Sequence, residues 1–170
     1  MNKIKNQRGF AVLEIILIVG VIAIFSSVAL PKMKITLDKV ALNYEMKHLY
    51  SELNLVRSIG KSSTFNGGIF PTMQDAGHKV EIWLYSKNYS NESARNRYQI
   101  MRTSLTSTPY YRHNLTNGIN LEFSGGYYLK EIDFSNLGDS QKFTLISKFG
   151  DKAYVKIDSL GRVRGTYNEE

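Results

Sequence analysis

The sequence predicts an α+β protein: one long amino-terminal helix, membrane-spanning in its first half and amphipathic in its second, packed on an antiparallel β-sheet. Three patterns carry that expectation. Residues 10–30 read FAVLEIILIVGVIAIFSSVAL, and as a helix this run would be about 31 Å long, enough to cross the hydrocarbon core of a bilayer. Beyond Pro31 the residues Leu42, Met46, Leu49, Leu53 and Val56 recur at spacings of four, three, four and three, a single helical stripe. From Lys79 onward the runs become short, aromatic and β-branched, with glycines between them.

Size and composition bound what these elements can build. The chain has 170 residues, 42% hydrophobic and 22% charged, so one compact domain plus an appendage is the largest architecture expected. Without cysteine there is no disulfide framework, no thiolate metal site and no cysteine nucleophile. The three histidines, His48, His78 and His113, are far apart in sequence and lack local ligand spacing, so neither a zinc centre nor any other cofactor is expected. A net charge of +7 suits a polyanionic partner or a membrane surface without choosing between them.

The amino-terminal segment is the most specific. Lys3, Lys5 and Arg8 precede the apolar run with no acid among them, which holds the amino terminus in the cytoplasm and sends the residues after Leu30 outward. A secretory signal peptide is an alternative, with Ser27-Val28-Ala29 as a cleavage site. Against it, the apolar run is longer than a usual signal core and contains Glu14, whose carboxylate costs about 2.5 kcal/mol at mid-membrane depth, less near one end. Such an acid needs a partner. Cleavage after Gly9 would create one, because the new α-amino group of Phe10 lies about one helical turn from Glu14 and could pair with the Glu14 of a neighbouring helix.

At Gly9-Phe10-Ala11-Val12-Leu13-Glu14 the sequence resembles the type IV pilin and pseudopilin superfamily, whose leader ends in Gly before an apolar or aromatic first residue and a Glu at the fifth mature position. Ala11 departs from the usual Thr or Ser. The resemblance implies a leader over residues 1–9, a transmembrane and assembly helix over 10–30, an amphipathic continuation over 31–60 and a β-rich head over 61–170. It implies cleavage and methylation at Gly9 and Phe10 by a prepilin peptidase, and assembly with other pilin subunits through Glu14 and the helix. Pro31 stands where many pilins carry a helix-kinking proline, and its missing N–H would bend the helix or melt it locally. The expected localisation is a single-pass cytoplasmic-membrane protein before assembly and an extracytoplasmic pilus after it.

Along the head, the helix is expected to end near Gly60, and Ser62 to Gly68 reads as a loop. Strands are expected at Val80–Tyr85, Tyr98–Arg102, Ile119–Phe123, Tyr127–Ile132, Lys142–Ser147 and Ala153–Ile157, with a last one after Gly161. The polar stretch from Ser86 to Arg97 reads as an exposed loop. Glu131 and Asp133 flank Ile132 on one strand and read as a solvated face; no other constellation offers catalytic spacing, so no enzyme activity is expected.

The carboxy-terminal run from Phe143 to Gly165 resembles the end of the FimT/GspH group of minor pilins, in which a hairpin leads to a Gly-Arg-x-Arg element, here Gly161-Arg162-Val163-Arg164. The resemblance implies double-stranded DNA binding at a pilus tip for natural transformation, or alternatively a structural minor pseudopilin of a type II secretion system or pilus-priming complex that binds no DNA. In a strand, Arg162 and Arg164 would face one way with Val163 packed inward, and Gly161 would let the backbone approach a phosphate. Two arginines on an exposed strand could equally serve to discourage edge pairing. A second basic element, Arg95, Arg97, Arg102 and Arg112 interleaved with Tyr98, Tyr110 and Tyr111, has the composition for phosphate contact plus base stacking. Nearby acids, Asp151, Asp158, Glu169 and Glu170, neutralise the carboxy-terminal cations unless folding separates the signs.

Mass spectrometry of the mature amino terminus is expected to find a chain beginning at Phe10 with its amine methylated. A terminus at Leu30 would instead indicate signal peptidase.

Overall fold

A computed structural model describes residues 7–61, 80–102, 109, 111–134 and 137–167. The expected loop at Ser62–Gly68, most of the leader, and Tyr110 lie outside the described residues. One helix, α1 (Gln7–Lys61), is followed by eight strands: β1 (Val80–Tyr85), β2 (Arg97–Arg102), β3 (Tyr111–Asn114), β4 (Asn120–Phe123), β5 (Leu129–Asp133), β6 (Gln141–Ile146), β7 (Lys152–Ile157) and β8 (Val163–Thr166). The chain divides into two units, Met1–Leu37 and Asp38–Glu170.

In the first unit α1 exposes apolar side chains on all faces, including Leu13, Ile16, Ile24 and Phe25, and it is long and apolar enough to span a membrane. The helix begins at Gln7, ahead of Phe10. Glu14 is exposed on it. Local melting at Pro31 does not occur, since the residues on both sides of it are helical. Proline withholds only its own N–H. Its neighbours keep theirs, and the hydroxyls of Ser27 and Thr36 donate to the carbonyls of Ile24 and Lys32.

In the second unit the stripe predicted on α1 is the core: Leu42, Met46, Leu49, Leu53 and Val56 are all buried. The strands that cover it form two antiparallel four-stranded sheets, ordered β3-β2-β1-β5 and β4-β6-β7-β8, rather than one. Alternation sorts their side chains. Ile82, Leu84, Tyr98, Ile100 and Ile132 join the core from the first sheet, and Leu121, Phe143, Leu145, Val155 and Ile157 from the second. At Gly165 on β8 the Cβ position faces Met46, 3.5 Å from its sulfur, an ordinary contact distance, so this edge strand lies against the helix here.

The loop from Ser86 to Asn96 joins the sheets. The Lys87 N–H donates to the Leu121 carbonyl at 3.1 Å, and the Asn96 side chain both donates to Asn120 Oδ1 and accepts from the Leu121 N–H. Asn96 adopts φ 50°, a left-handed conformation that Asn tolerates better than most residues. The stretch expected to be an exposed loop is therefore a tie, with Ser86 and Ala94 buried within it.

One polar cluster lies where α1 meets β2 and β3. Glu45 is only 1% exposed; its carboxylate accepts from His113 Nε2 at 2.9 Å, the Thr116 N–H at 2.9 Å and the Thr116 hydroxyl. His48 hydrogen-bonds the Tyr98 hydroxyl through Nδ1 and stacks on His113 with ring centroids 4.4 Å apart. Burial, then the nearby Glu52 charge, holds the Tyr98 phenol well above its usual range, so it stays protonated and available to the histidine. Glu45→Ala strips the acceptor from the Thr116 N–H and hydroxyl and from the His113 imidazole, and is expected to cost about 3 kcal/mol. Chemical denaturation of the detergent-solubilised chain measures it; a loss below about 0.5 kcal/mol, the size of an exposed-pair effect, would show the cluster to be unimportant for stability.

Candidate nucleic-acid interface

The outward face of the second sheet carries the basic residues of the carboxy-terminal run. β7 and β8 are joined by a turn built on Asp158: its Oδ1 accepts from the N–H groups of Leu160 and Arg162 at 3.0 and 2.8 Å, and its Oδ2 from Arg162 Nε at 2.6 Å. These bonds, the Arg162 backbone N–H first, hold the Asp158 carboxyl below its ordinary range. Gly161 closes the turn at φ 74°, a left-handed conformation that suits glycine. Its N–H donates to the Asp158 carbonyl at 2.8 Å, so this amide serves the turn.

The remaining parts of the motif lie as its spacing predicts. Val163 is buried, with Arg162 and Arg164 exposed on either side of it. Both arginines line one groove of about 510 Å³, together with Ser140, Gln141, Lys142, Lys156, Ile157 and Asp158. Only Arg164 lies within β8; Arg162 belongs to the turn.

Lys142 and Lys156 owe their place to strand register. Lys142 on β6 stands opposite Lys156 on β7, and Lys156 stands opposite Arg164 on β8, so three neighbouring strands each contribute a cation to one row. Lys142 Nζ also lies 4.6 Å from the centre of the Tyr154 ring. Neither Lys142 nor Lys156 belongs to the Gly-Arg-x-Arg element. The available signal was alternation: Lys142 and Lys156 each flank inward-facing core residues, Phe143, Val155 and Ile157, which places both lysines on the outer face.

Folding separates one of the acids from the groove. Asp151 stands at the opposite end of β7 from Lys156, about 17 Å away along the strand, and its carboxylate lies 3.7 Å from Lys39 Nζ. Among the described residues that line the groove Asp158 is the one acid, and it is engaged with Arg162. Glu169 and Glu170 lie outside the described residues.

The second basic element is not brought to this groove. Arg95 donates to the Tyr89 carbonyl through Nε and pairs with Glu92. Arg97 lies over the Tyr85 ring, 4.9 Å from its centre. Arg112 is exposed on β3, the edge of the first sheet, and the Arg102 side chain lies outside the described residues. Tyr98 is fully buried and cannot stack on a base, which corrects the expectation for that residue. Its strand turns it to the core because Tyr98 and Ile100 share the inward face. Tyr111 is half-buried beside His48, with ring centroids 6.5 Å apart. Among the described residues no group of three or more His, Asp or Glu is arranged to hold a metal ion. Comparison of the chain with family models, with curated proteins and with solved structures gives no significant match.

The Asp158 turn has a titratable signature. Its depressed carboxyl favours the folded state at pH above the unfolded value, and that contribution is lost as pH falls through the lower folded value. Arg162→Gln keeps the backbone N–H bond and removes the guanidinium, so the Asp158 midpoint, followed by carboxyl-carbon NMR, is expected to rise part of the way toward 3.8. An unchanged midpoint would mean that the side-chain pair does not form in solution.

Proposed function

We propose that this chain is a minor type IV pilin or pseudopilin that enters a pilus at or near its tip and there binds double-stranded DNA without sequence preference, for uptake in natural transformation. The observation that carries the DNA reading is the groove in which Arg162 and Arg164 meet Lys142 and Lys156 on one exposed sheet face. Long cationic side chains on a sheet surface suit the sugar-phosphate backbone, which positions a duplex without reading its bases.

The assembly reading is supported by the Gly9-Phe10 junction and Glu14 near the start of a helix long enough to span a membrane, followed by antiparallel sheets compatible with a pilin-like head. In this scheme the amino terminus is cytoplasmic and the head lies outside. The prepilin peptidase cuts after Gly9, and the amine of Phe10 meets the Glu14 of a neighbouring subunit in the fibre, where an otherwise costly carboxylate is neutralised. Glu14, exposed on the helix, is accessible to such a neighbour. Loss of the leader removes Lys3, Lys5 and Arg8 and leaves +4 of the original +7. One subunit therefore binds DNA weakly.

The full chain in non-ionic detergent is expected to bind a labelled duplex of random sequence by fluorescence anisotropy, with a log–log salt slope of about −0.9 per phosphate contacted. Replacing Arg162 and Arg164 together by Gln should weaken binding and flatten the slope by about one for each guanidinium that meets a phosphate, with thermal stability nearly unchanged. If the wild-type chain shows no binding at low salt, the structural pseudopilin takes its place. The Asp158–Arg162 pair is the observation that favours that second reading, because it already occupies half of the motif.

A further inference from the structure

The turn between β3 and β4 carries the dipeptide Asn117-Gly118, whose chemistry needs no partner. In an Asn-Gly pair the backbone nitrogen of the glycine can attack the asparagine side-chain amide carbon. A side chain on the following residue, or a hydrogen bond that holds its N–H, slows that attack. The asparagines of this segment differ in just these respects. The N–H after Asn114 belongs to buried Leu115 and donates to the Asn96 carbonyl at 2.9 Å. The N–H after Asn120 belongs to buried Leu121 and donates to Asn96 Oδ1 at 3.0 Å. Asn117 is exposed, and among the described residues nothing accepts from the Gly118 N–H. The turn keeps the pair open. It is closed by the Ile119 N–H donating to the Thr116 carbonyl at 2.9 Å, Gly118 takes φ 96°, and a Cβ there would stand 3.4 Å from Lys148 Cβ. A shielding side chain is thus disfavoured at the position where it would protect Asn117.

We propose that Asn117-Gly118 is a site of self-modification, at which Asn117 converts through a succinimide to isoaspartate and loosens the hold of Thr116 on Glu45. The inference is independent of the nucleic-acid reading. In the first step the Gly118 nitrogen loses its proton and bonds to Cγ of Asn117, and Nδ2 leaves with a proton as ammonia. Water then opens the ring. Attack at Cγ restores the ordinary backbone as aspartate, whereas attack at the backbone carbonyl carbon leaves the chain running through Cβ and Cγ, with the α-carboxylate as the side group. Either route turns one neutral amide into one carboxylate, and no oxidant or reductant takes part. The isoaspartate route also adds one atom to the backbone. That atom falls between two anchors, because Thr116 gives its N–H and hydroxyl to Glu45 and Ile119 is 1% exposed in the core. Lengthening the turn between them disturbs the bonds that satisfy the buried carboxylate.

The test uses the full chain in non-ionic detergent, carrying Asn66→Gln because the other Asn-Gly pair, Asn66-Gly67, lies outside the described residues. The chain is aged in buffers of increasing pH and digested with trypsin, and the peptide from His113 to Lys130 is sequenced by electron-transfer mass spectrometry, which separates isoaspartate from aspartate. Isoaspartate is expected at 117, forming faster as pH rises because the Gly118 nitrogen must lose its proton, with Asn114 and Asn120 intact. A synthetic peptide of residues 113–120 sets the time. If it has converted fully while the folded chain holds no isoaspartate at 117, or if Asn114 and Asn120 convert as fast as Asn117, the proposal is overturned. The aged chain is expected to melt about 3 °C or more below the fresh one by circular dichroism. Asn117→Asp, which supplies the charge without the extra atom, should melt like the fresh chain, and Asn117→Gln should lose nothing on ageing. A converted chain that melts like the fresh one, or an aged Asn117→Gln chain that loses as much, would overturn the loosening of the Glu45 contact.

Discussion

The apolar stripe on the second part of α1 must be covered, and the order of the head follows from that. Leu42, Leu49, Leu53 and Val56 are each at most 1% exposed, and burying a Leu or Val side chain contributes about 1.5–3 kcal/mol. A single four-stranded sheet covers one side of a helix, yet the core draws side chains from both sheets. The loop carrying Lys87 and Asn96 ties β1 to β4, so the sheets close on the helix as one assembly.

Within that apolar face the polar residues are placed by partners. Glu45 occupies a buried position where Leu would be the simpler choice, and it is satisfied by three donors from His113 and Thr116. The bond from His113 Nε2 ties β3 to the helix at this carboxylate. Tyr98, His48 and His113 extend the same seam and pin the edge strand to the helix. On the other side, the edge strand β8 faces Met46 at Gly165. Both sheets are thus anchored near an edge by contact with α1.

Turning the second sheet's apolar residues to the helix fixes what its other face shows. Phe143, Val155, Ile157 and Val163 point inward, and strand alternation then sends Lys142, Lys156 and Arg164 outward. The packing that stabilises the head also gathers its cations. Asp158, by contrast, is drawn into the turn by Leu160 and Arg162.

Most of what was legible in the sequence is local. The spanning length of α1, the stripe from Leu42 to Val56 and the positions of most strands depend on residues three, four or two apart, and such spacing is written in the chain itself. β3 escaped because Tyr-Arg-His-Asn has no apolar alternation; its strand character comes from pairing with β2 and from His113 reaching Glu45. The same limit applies to the candidate site. The Gly161-Arg162-Val163-Arg164 element could be read directly, including the inward Val163. The companionship of Lys142 and Lys156, the division of the strands into two sheets and the burial of Tyr98 were decided by tertiary structure. Each depends on which strand lies beside which and in what register, and register is set by the whole core at once.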